Sequence, residues 1–574
     1  MAIKIEDNHI SLSVKDLVFQ SRPPQMLSSF PLPQRGMLGR QAQTKVQTHK
    51  NKRFGLLHSE YFVHREYPYK EYIFDVQGRI DGVYQLKTRV EIEEIKSVIL
   101  NTAEFKNLLP ERFPEFAEQL LFYAYLLQDE LHGVEVVTYL IIVNLVNDAS
   151  RTFPIPYNRI MIENQLFQRF ESIVAEIERD KLEKQRREAE IRLVDFSMPE
   201  KRIQQEEMMT AVRSVLEGKK HLMASAPTGT GKTAAALYPA IRYAYANRKK
   251  IFFVTSKTTQ QNIVKETILP LIEQGFDLKV LYLRAAEKMC ANDIYFCHEA
   301  YCPYAKDYHD RLLDSNIISA LLQESILHPD LIYEKSVEQV LCPFEVSLDL
   351  SFHVDLLVGD FNYVFDPAVY LRRLFAKKDY SDWILIIDEA HNLYDRGMDY
   401  LSPQLKKETV AGLIQQNQTK KSKVFKDLIK SLEEIRKLLD ELNLEGEIHF
   451  ADRQYFEADL NIPAWDSALA LYEQAFIKYL IQKIKKRWLI IDDPLDGFYF
   501  NLRRFVQISR IQDRAFVPFY DAAEGGILKI QCCDPSHYLG QRIDGFHSVI
   551  AMSATLDPIN FYLNVLGFPD YRTN

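Results

Sequence analysis

Residues 222–237 read LMASAPTGTGKTAAAL. A short apolar run, Leu222, Met223 and Ala224, leads into Ala226, Pro227, Thr228, Gly229, Thr230, Gly231, Lys232 and Thr233, and helix formers follow at once. That order predicts strand, loop, helix. Gly229 and Gly231 permit a tight turn in which successive backbone N–H groups point inward at a phosphate, and the helix N-terminus behind them adds the positive end of its dipole. In such a loop Lys232 reaches the β- and γ-phosphates of a nucleoside triphosphate and Thr233 holds Mg²⁺. ATP and Mg²⁺ are the expected ligands.

The chain around this stretch has 574 residues, too many for one core, and its 47% apolar and 26% charged content is that of an ordinary globular protein. The longest apolar candidate, Val136 to Val146, is interrupted by Thr138 and Asn144 and reads as a buried strand, not a membrane span. Met1 to Asp7 lacks the apolar region of a signal peptide, so a cytoplasmic protein without membrane contact is expected. A net charge of −8 argues against non-specific coating of nucleic acid but leaves room for a local basic groove. Arg372 and Arg373 with Lys377 and Lys378, Lys420 to Lys426, and Lys483 to Arg487 are the candidate patches, each otherwise a solvated face.

Upstream, Leu56–Tyr67, Tyr72–Tyr84 and Arg89–Ile99 read as strands, Phe113–Leu127 as a helix and Val134–Val146 as a strand. Asp81 lies in GRIDGVY, Glu94 and Lys96 in EIEEIKSV, and Gln119 and Tyr123 in EQLLFYAYLL. Two carboxylates on adjacent strands can share a divalent ion, and a lysine two residues after the second lies on the same strand face. Such a site can polarise a phosphodiester and generate a nucleophilic water; exposed acidic residues with a salt-bridged lysine are the plainer alternative. Across roughly residues 35–145 the order of helix, GRIDG strand, EIK strand and Q-x-x-x-Y helix resembles the PD-(D/E)XK nucleases of the RecB-like type. The resemblance implies a metal-dependent cleavage site of Asp81, Glu94 and Lys96, with Gln119 and Tyr123 orienting it or touching DNA. It departs at Gln43, which stands where that family usually has a metal-binding histidine. Residues 176–197 carry opposite charges four apart (Asp180 with Lys184, Glu183 with Arg187, Glu188 with Arg192) and read as a solvated linker helix.

Arg202, Gln205 and Met208 share one helix face just before the phosphate loop, where a glutamine can pair with the edge of adenine or simply belong to a polar face. After the loop, the strand Ile251–Val254 ends in Thr255, Ser256, Lys257, Thr258 and Thr259, groups suited to nucleic-acid phosphates. Cys290, Cys297, Cys302 and Cys342 follow, spaced C-x6-C-x4-C-x39-C. Four thiolates suffice for tetrahedral Zn²⁺ or for a [4Fe-4S] cluster, and the spacing alone does not choose. The adjacent Cys532 and Cys533 read as core. The run Trp383–Ile387 is the mark of a central parallel strand and ends in Asp388, Glu389, Ala390 and His391. There Asp388 can bind the ATP magnesium and Glu389 can deprotonate the attacking water, while Ser553 and Thr555 of a later strand end can couple the nucleotide to a bound strand. In DFNYVFDP, Phe361 and Tyr363 can stack on bases or belong to the core.

From about residue 198 onward these segments, together with CPFEVSLDLS, occur in the order of the iron–sulfur superfamily 2 DNA helicases, the XPD and DinG group, and resemble bacterial members with a nuclease-like N-terminal domain. The resemblance implies that the four cysteines ligate [4Fe-4S], that the region after the DEAH box is an arch domain, and that the substrate is single-stranded DNA translocated 5′ to 3′. The expected fold is α/β, a RecA-like P-loop domain with iron–sulfur and helical arch insertions behind a PD-(D/E)XK-like α/β domain. Its expected segments are 1–175 (nuclease-like), 176–197 (linker), 198–285 and 350–396 (helicase domain 1), 286–349 (four-cysteine insertion), 397–526 (helical arch) and 527–574 (return to helicase domain 1). Asn574 lies 19 residues after Thr555, and no QxxGRxxR-type helix occurs. The expectation is therefore weak ATP binding and slow hydrolysis unless another chain supplies the second RecA-like lobe, since an arginine finger is worth about 10³ to 10⁵ in rate.

Overall fold

A computed structural model describes residues 4–6, 8–19, 57–86, 88–98, 100, 105–128, 134–144, 149–191, 203–227, 231–256, 260–293, 295, 297, 302–375, 380–449, 455–486, 488, 493–511, 513–522 and 525–569. The chain forms two compact units, Met1–Leu182 and Glu183–Asn574.

The first unit is built on a seven-stranded mixed sheet. Its strands are β1 (Lys4–Glu6), β2 (His9–Ser13), β3 (Leu57–Tyr69), β4 (Tyr72–Gln85), β5 (Arg89–Val98), β6 (Glu135–Asn144) and β7 (Ala149–Ile155), in the order β1-β2-β4-β5-β6-β7 with β3 paired to β4. In β4 the residues Tyr72, Phe74 and Val76 alternate inward, the period-2 pattern of a strand with one face on the core. The helix Pro114–Gln128 is buried without a break from Gln119 to Leu127, which marks it as a central element. Ile162, Leu166, Phe170, Ile173 and Val174 of the helix Arg159–Glu190 complete the core at helical spacing, with Phe170 stacked on Phe74 at 4.0 Å between ring centroids. The charged stretch read as a linker is thus the continuation of a 32-residue helix whose first half packs in this core. Strand β7 is absent from the sequence reading because Pro154 interrupts its pattern; the residue is tolerated because β7 is an edge strand.

The second unit contains a seven-stranded, all-parallel sheet. Its strands are β8 (Leu222–Ser225), β9 (Lys250–Thr255), β10 (Val280–Tyr282), β11 (Ile326–Leu327), β12 (Leu356–Asp360), β13 (Tyr380–Asp388) and β18 (Phe546–Ser553), in the order β11-β10-β12-β9-β13-β18-β8. Ile384–Ile387 and the whole of β18 are buried, as strands covered on both faces must be. The parallel α/β sheet expected from the apolar runs is the one observed.

Residues 397–526 are not wholly helical, contrary to the sequence expectation. Four long helices, Lys407–Asn417, Lys423–His449, Ile462–Lys485 and Pro494–Ser509, accompany a four-stranded antiparallel sheet of β14 (Gln404–Lys406), β15 (Tyr455–Glu457), β16 (Phe516–Asp521) and β17 (Ile527–Cys532), ordered β14-β17-β16-β15. Two of these strands have three residues each, too few for alternation to register in sequence. The strand β17, expected to open the return to the parallel sheet, belongs here instead.

Gly567 sits at φ +69°, and a β-carbon there would run into the Ser536 carbonyl and the Gly540 amide. Gly275 has φ +86° with open space around it. Gly567→Ala is expected to cost about 2–3 kcal/mol, strain plus collision, and Gly275→Ala about 1 kcal/mol from strain alone. Thermal denaturation of the two variants checks the difference.

Candidate functional site

The C-terminal ends of β8, β13 and β18 stand side by side. Ser225 is in register with Ser553, and Asp388 with Met552. The Ala226 N–H donates to the Ser553 carbonyl at 3.0 Å and the Ala390 N–H to the Met552 carbonyl at 3.1 Å. The phosphate loop, the DEAH box and the SAT segment, up to 331 residues apart in sequence (222 to 553), are thereby placed along one sheet rim, where open α/β sheets bind ligands.

Gly231 has φ +75°, left-handed backbone that glycine adopts freely, and a β-carbon on it would collide with Gln205 Nε2. The helix Lys232–Ala246 starts directly after it, its first-turn N–H groups aimed back at the loop. Lys232 and Thr233 are each 9% exposed, and Lys232 Nζ has no hydrogen-bond partner among the described residues. A buried, unpartnered ammonium beside a glycine cradle fits a bound triphosphate. Gln205 lies on the helix Ile203–Gly218 with Met208 turned into the core. Arg202, Thr228, Gly229, Thr230 and Lys257 lie outside the described residues.

Asp388 is buried, and burial first, then the neighbouring Glu389, pushes its carboxyl up to about 6, with Lys232 pulling the other way. Glu389 has φ +51°. Its Oε2 accepts from the Ser553 hydroxyl at 3.2 Å and lies 3.4 Å from His391 Nδ1, which itself is 2.7 Å from Ser553 Oγ. Thr555 Oγ1 is 3.5 Å from the same hydroxyl. Sequence reading missed Asn392, whose amide donates to Ser256 Oγ at 3.4 Å and ties the DEAH turn to the end of β9; its only signal was its place beside His391. Thr255, expected to face a nucleic-acid phosphate, is buried and donates to Gln260 Oε1.

The raised carboxyl of Asp388 has a pH consequence. On the sequence expectation that Asp388 binds the ATP magnesium as a carboxylate, affinity for Mg-ATP falls as pH drops through about 6, and Asp388→Asn abolishes that step. Titration of a fluorescent nucleotide between pH 5 and pH 8 reads both.

In the first unit, Asp81 Oδ2 accepts from the Ile95 N–H at 2.7 Å, and Glu94 Oε1 pairs with Lys96 Nζ at 2.5 Å. Burial, then Glu94, pushes the Asp81 carboxyl up to about 7. Burial, then Glu94, raises the Tyr123 hydroxyl as well, and Gln119 Nε2 donates to that hydroxyl at 3.1 Å. These five residues are thus brought together, and Gln43 lies outside the described residues. The carboxylate and amide oxygens make a donor set suited to a hard divalent cation, with the Lys96 ammonium, which cannot ligate one, beside them.

Cys290, Cys297, Cys302 and Cys342 form no disulfide, and they interact electrostatically: Cys290 acts on Cys302, Cys297 on Cys342, and Tyr295 feels Cys297, Cys290 and Cys342. Burial pushes the Cys342 thiol up to about 12. The donor set is that of a soft metal centre. As placed, no three His, Cys, Asp or Glu among the described residues are gathered closely enough to hold a metal ion.

Several sequence readings are corrected. Cys533 is exposed while Cys532 is core. Phe361 and Tyr363 are buried, so they are core residues and not base-stacking platforms. Arg373 is committed to Glu345 and Asp349, and Lys483 is buried against Asp493 at 2.7 Å and Asp496 at 3.1 Å, so neither contributes to a free basic patch. No helix of the described residues is long and apolar enough to cross a membrane.

Residues 201–295 match the DEAD/DEAH box helicase family model and residues 277–410 match DEAD_2. The chain is 26% identical over 203 residues to the probable ATP-dependent helicase MJ0942 of Methanocaldococcus jannaschii, covering 34% of this chain and 29% of that protein. It is 22% identical over 357 residues to the ATP-dependent DNA helicase XPD of Sulfolobus acidocaldarius, covering 62% of this chain and 58% of that one. A solved XPD helicase structure aligns over 65% of this chain and 61% of its own at 21% identity, with a TM-score of 0.43. The chain therefore spans less than two thirds of the length of these relatives. Through the two family matches, which run from the helix before the phosphate loop to beyond the DEAH box, the chain is similar to the XPD-like superfamily 2 helicases.

Proposed function

We propose that the second unit is the ATP-hydrolysing lobe of an iron–sulfur DNA helicase that moves 5′ to 3′ on single-stranded DNA. The observation that carries the reading is the buried, unpartnered Lys232 ammonium on the same sheet rim as Asp388 and the Glu389–Ser553–His391 cluster. In this reading Lys232 and the N–H groups of the following helix hold the β- and γ-phosphates, and Thr233 and Asp388 hold Mg²⁺, which when bound offsets phosphate charge. Glu389 orients a water and takes its proton at Oε2 as the water oxygen bonds to the γ-phosphorus and the bridging P–O bond breaks. Ser553 and His391 hold that oxygen otherwise, so their release couples DNA contact to hydrolysis. Gln205 reads the adenine edge, and the four cysteines hold [4Fe-4S]. All the groups named come from the second unit, so an arginine from a second RecA-like lobe, on this or a partner chain, is the expected complement.

A metal-dependent nuclease is the second reading, for the first unit only. Lys96 beside Glu94, with the half-buried Asp81 acting on both, supports it.

The test is ATP hydrolysis with and without single-stranded DNA, alone and after adding a separately produced second lobe, on protein whose iron and acid-labile sulfide are measured. Stimulation by DNA with about four iron atoms per chain is expected for a [4Fe-4S] cluster. No stimulation under either condition, or a chain purified with zinc in place of iron, would sink the corresponding half of the proposal.

A further inference from the structure

The DEAH box runs straight into the helix Asn392–Leu401, and a side chain from far downstream grips that helix at its other end. Arg504, on the helix Pro494–Ser509, donates from Nε to the Tyr400 carbonyl at 3.1 Å. Its Nη2 donates to the Asp399 carbonyl at 2.8 Å and to the Tyr400 carbonyl at 2.5 Å. The last carbonyls of a helix lack helical partners, and this helix has no basic residue in its own last turn. One guanidinium thus supplies both the hydrogen bonds and the positive charge that the end requires. The buried Tyr400 also donates its hydroxyl to Asn362 Oδ1. Midway along the helix, Gly397 lies so close to Pro535 and Leu539 that a β-carbon on it would stand 3.1 Å from each.

At the near end stands Glu389 with φ +51°. A non-glycine residue keeps left-handed backbone only where the structure around it over-determines it. Close by, the Ala390 N–H donates to the Met552 carbonyl at 3.1 Å and the Asn392 N–H to the Glu389 carbonyl at 3.0 Å. The Asn392 side chain adds only a long bond, 3.4 Å to Ser256 Oγ. The rest of the constraint comes through the helix itself, whose ten residues span about 15 Å and move as one rigid piece. Its far end is where Arg504 holds it.

We infer that Arg504 is a positioning residue for Glu389: by holding the Asp399 and Tyr400 carbonyls it fixes the helix that fixes the DEAH turn. It acts through that helix and not on the nucleotide, and its role in hydrolysis rests on the reading of Glu389 as the base that takes the water's proton.

The test compares the full-length wild type with Arg504→Met, which keeps the aliphatic stem and removes the donors, and Arg504→Lys, which keeps a charged donor. Hydrogen exchange is followed by mass spectrometry without nucleotide, and ATP hydrolysis with single-stranded DNA and the second lobe added. In Arg504→Met the amides of residues 390–394 are expected to exchange at least about fivefold faster. Its kcat is expected to fall about tenfold with the Kd for ATP within about twofold of the wild type, because misplacing a reacting group costs rate before it costs affinity. Arg504→Lys is expected to recover both readouts to within about threefold of the wild type. Faster exchange confined to residues 398–402 with kcat unchanged is the result of a plain helix cap and would overturn the inference. Should Arg504→Met not fold, Arg504→Gln, which keeps one amide donor, takes its place with effects of about threefold in the same direction, and wild-type values in it would overturn the inference as well. Faster exchange at 390–394 combined with hydrolysis that Glu389→Gln leaves untouched would keep the positioning by Arg504 and remove Glu389 as the base.

Discussion

Lys232→Ala is expected to weaken ATP binding about 100-fold while leaving the melting temperature of the free protein unchanged or slightly raised. The two halves share one cause. Lys232 Nζ is buried with no hydrogen-bond partner among the described residues, so in the free chain its desolvation is offset by no hydrogen bond, only by the Asp388 carboxyl at electrostatic range. Bound triphosphate would supply charge-assisted hydrogen bonds worth about 1.5–3 kcal/mol each, and losing roughly 3 kcal/mol is about two decades in Kd. Removing the ammonium therefore costs binding and relieves the free fold. Titration with a fluorescent ATP analogue and a denaturation scan measure both. A variant that binds within threefold of the wild type would show that the lysine does not face the phosphates.

Glu389→Gln is expected to lower the rate of ATP hydrolysis by about 10² to 10⁴ while changing nucleotide affinity less than threefold. The amide keeps the length and shape of the side chain, so the left-handed backbone at residue 389 and the bond from the Ser553 hydroxyl survive the change. What it removes is the capacity to take a proton. A parallel loss of affinity would mean that Glu389 serves the magnesium and that the base lies elsewhere; an unchanged rate would remove Glu389 from the reaction. Single-turnover hydrolysis with the second lobe present separates these outcomes.

The segments that line the sheet rim were legible in the sequence because each part is a short local pattern. A glycine-rich loop after a strand and before a helix, and an apolar run ending in DEAH, require only neighbours in the chain to be recognised. The same holds for the strands carrying Asp81 and Glu94 and for the helix carrying Gln119 and Tyr123. Local pattern failed where a residue's surroundings come from far away. Lys483 reads as part of a basic run, but the start of a later helix brings Asp493 and Asp496 against it. Arg373 reads likewise and is taken by Glu345 and Asp349. Thr255 ends its strand as expected, yet its hydroxyl is turned to Gln260.

By itself the sequence determined that this protein has a phosphate loop on a parallel α/β sheet, a DEAH strand, a four-cysteine insert and an upstream sheet bearing an acidic pair with a lysine, because periodicity and turn chemistry act over a few residues. Only the tertiary structure decided that β18 lies between β13 and β8, so that Ser553 bonds Glu389. It alone decided that β14 to β17 form a separate antiparallel sheet. Strand order and register are set by which buried faces fit together across hundreds of residues, a property of the packed whole that no local stretch of sequence contains.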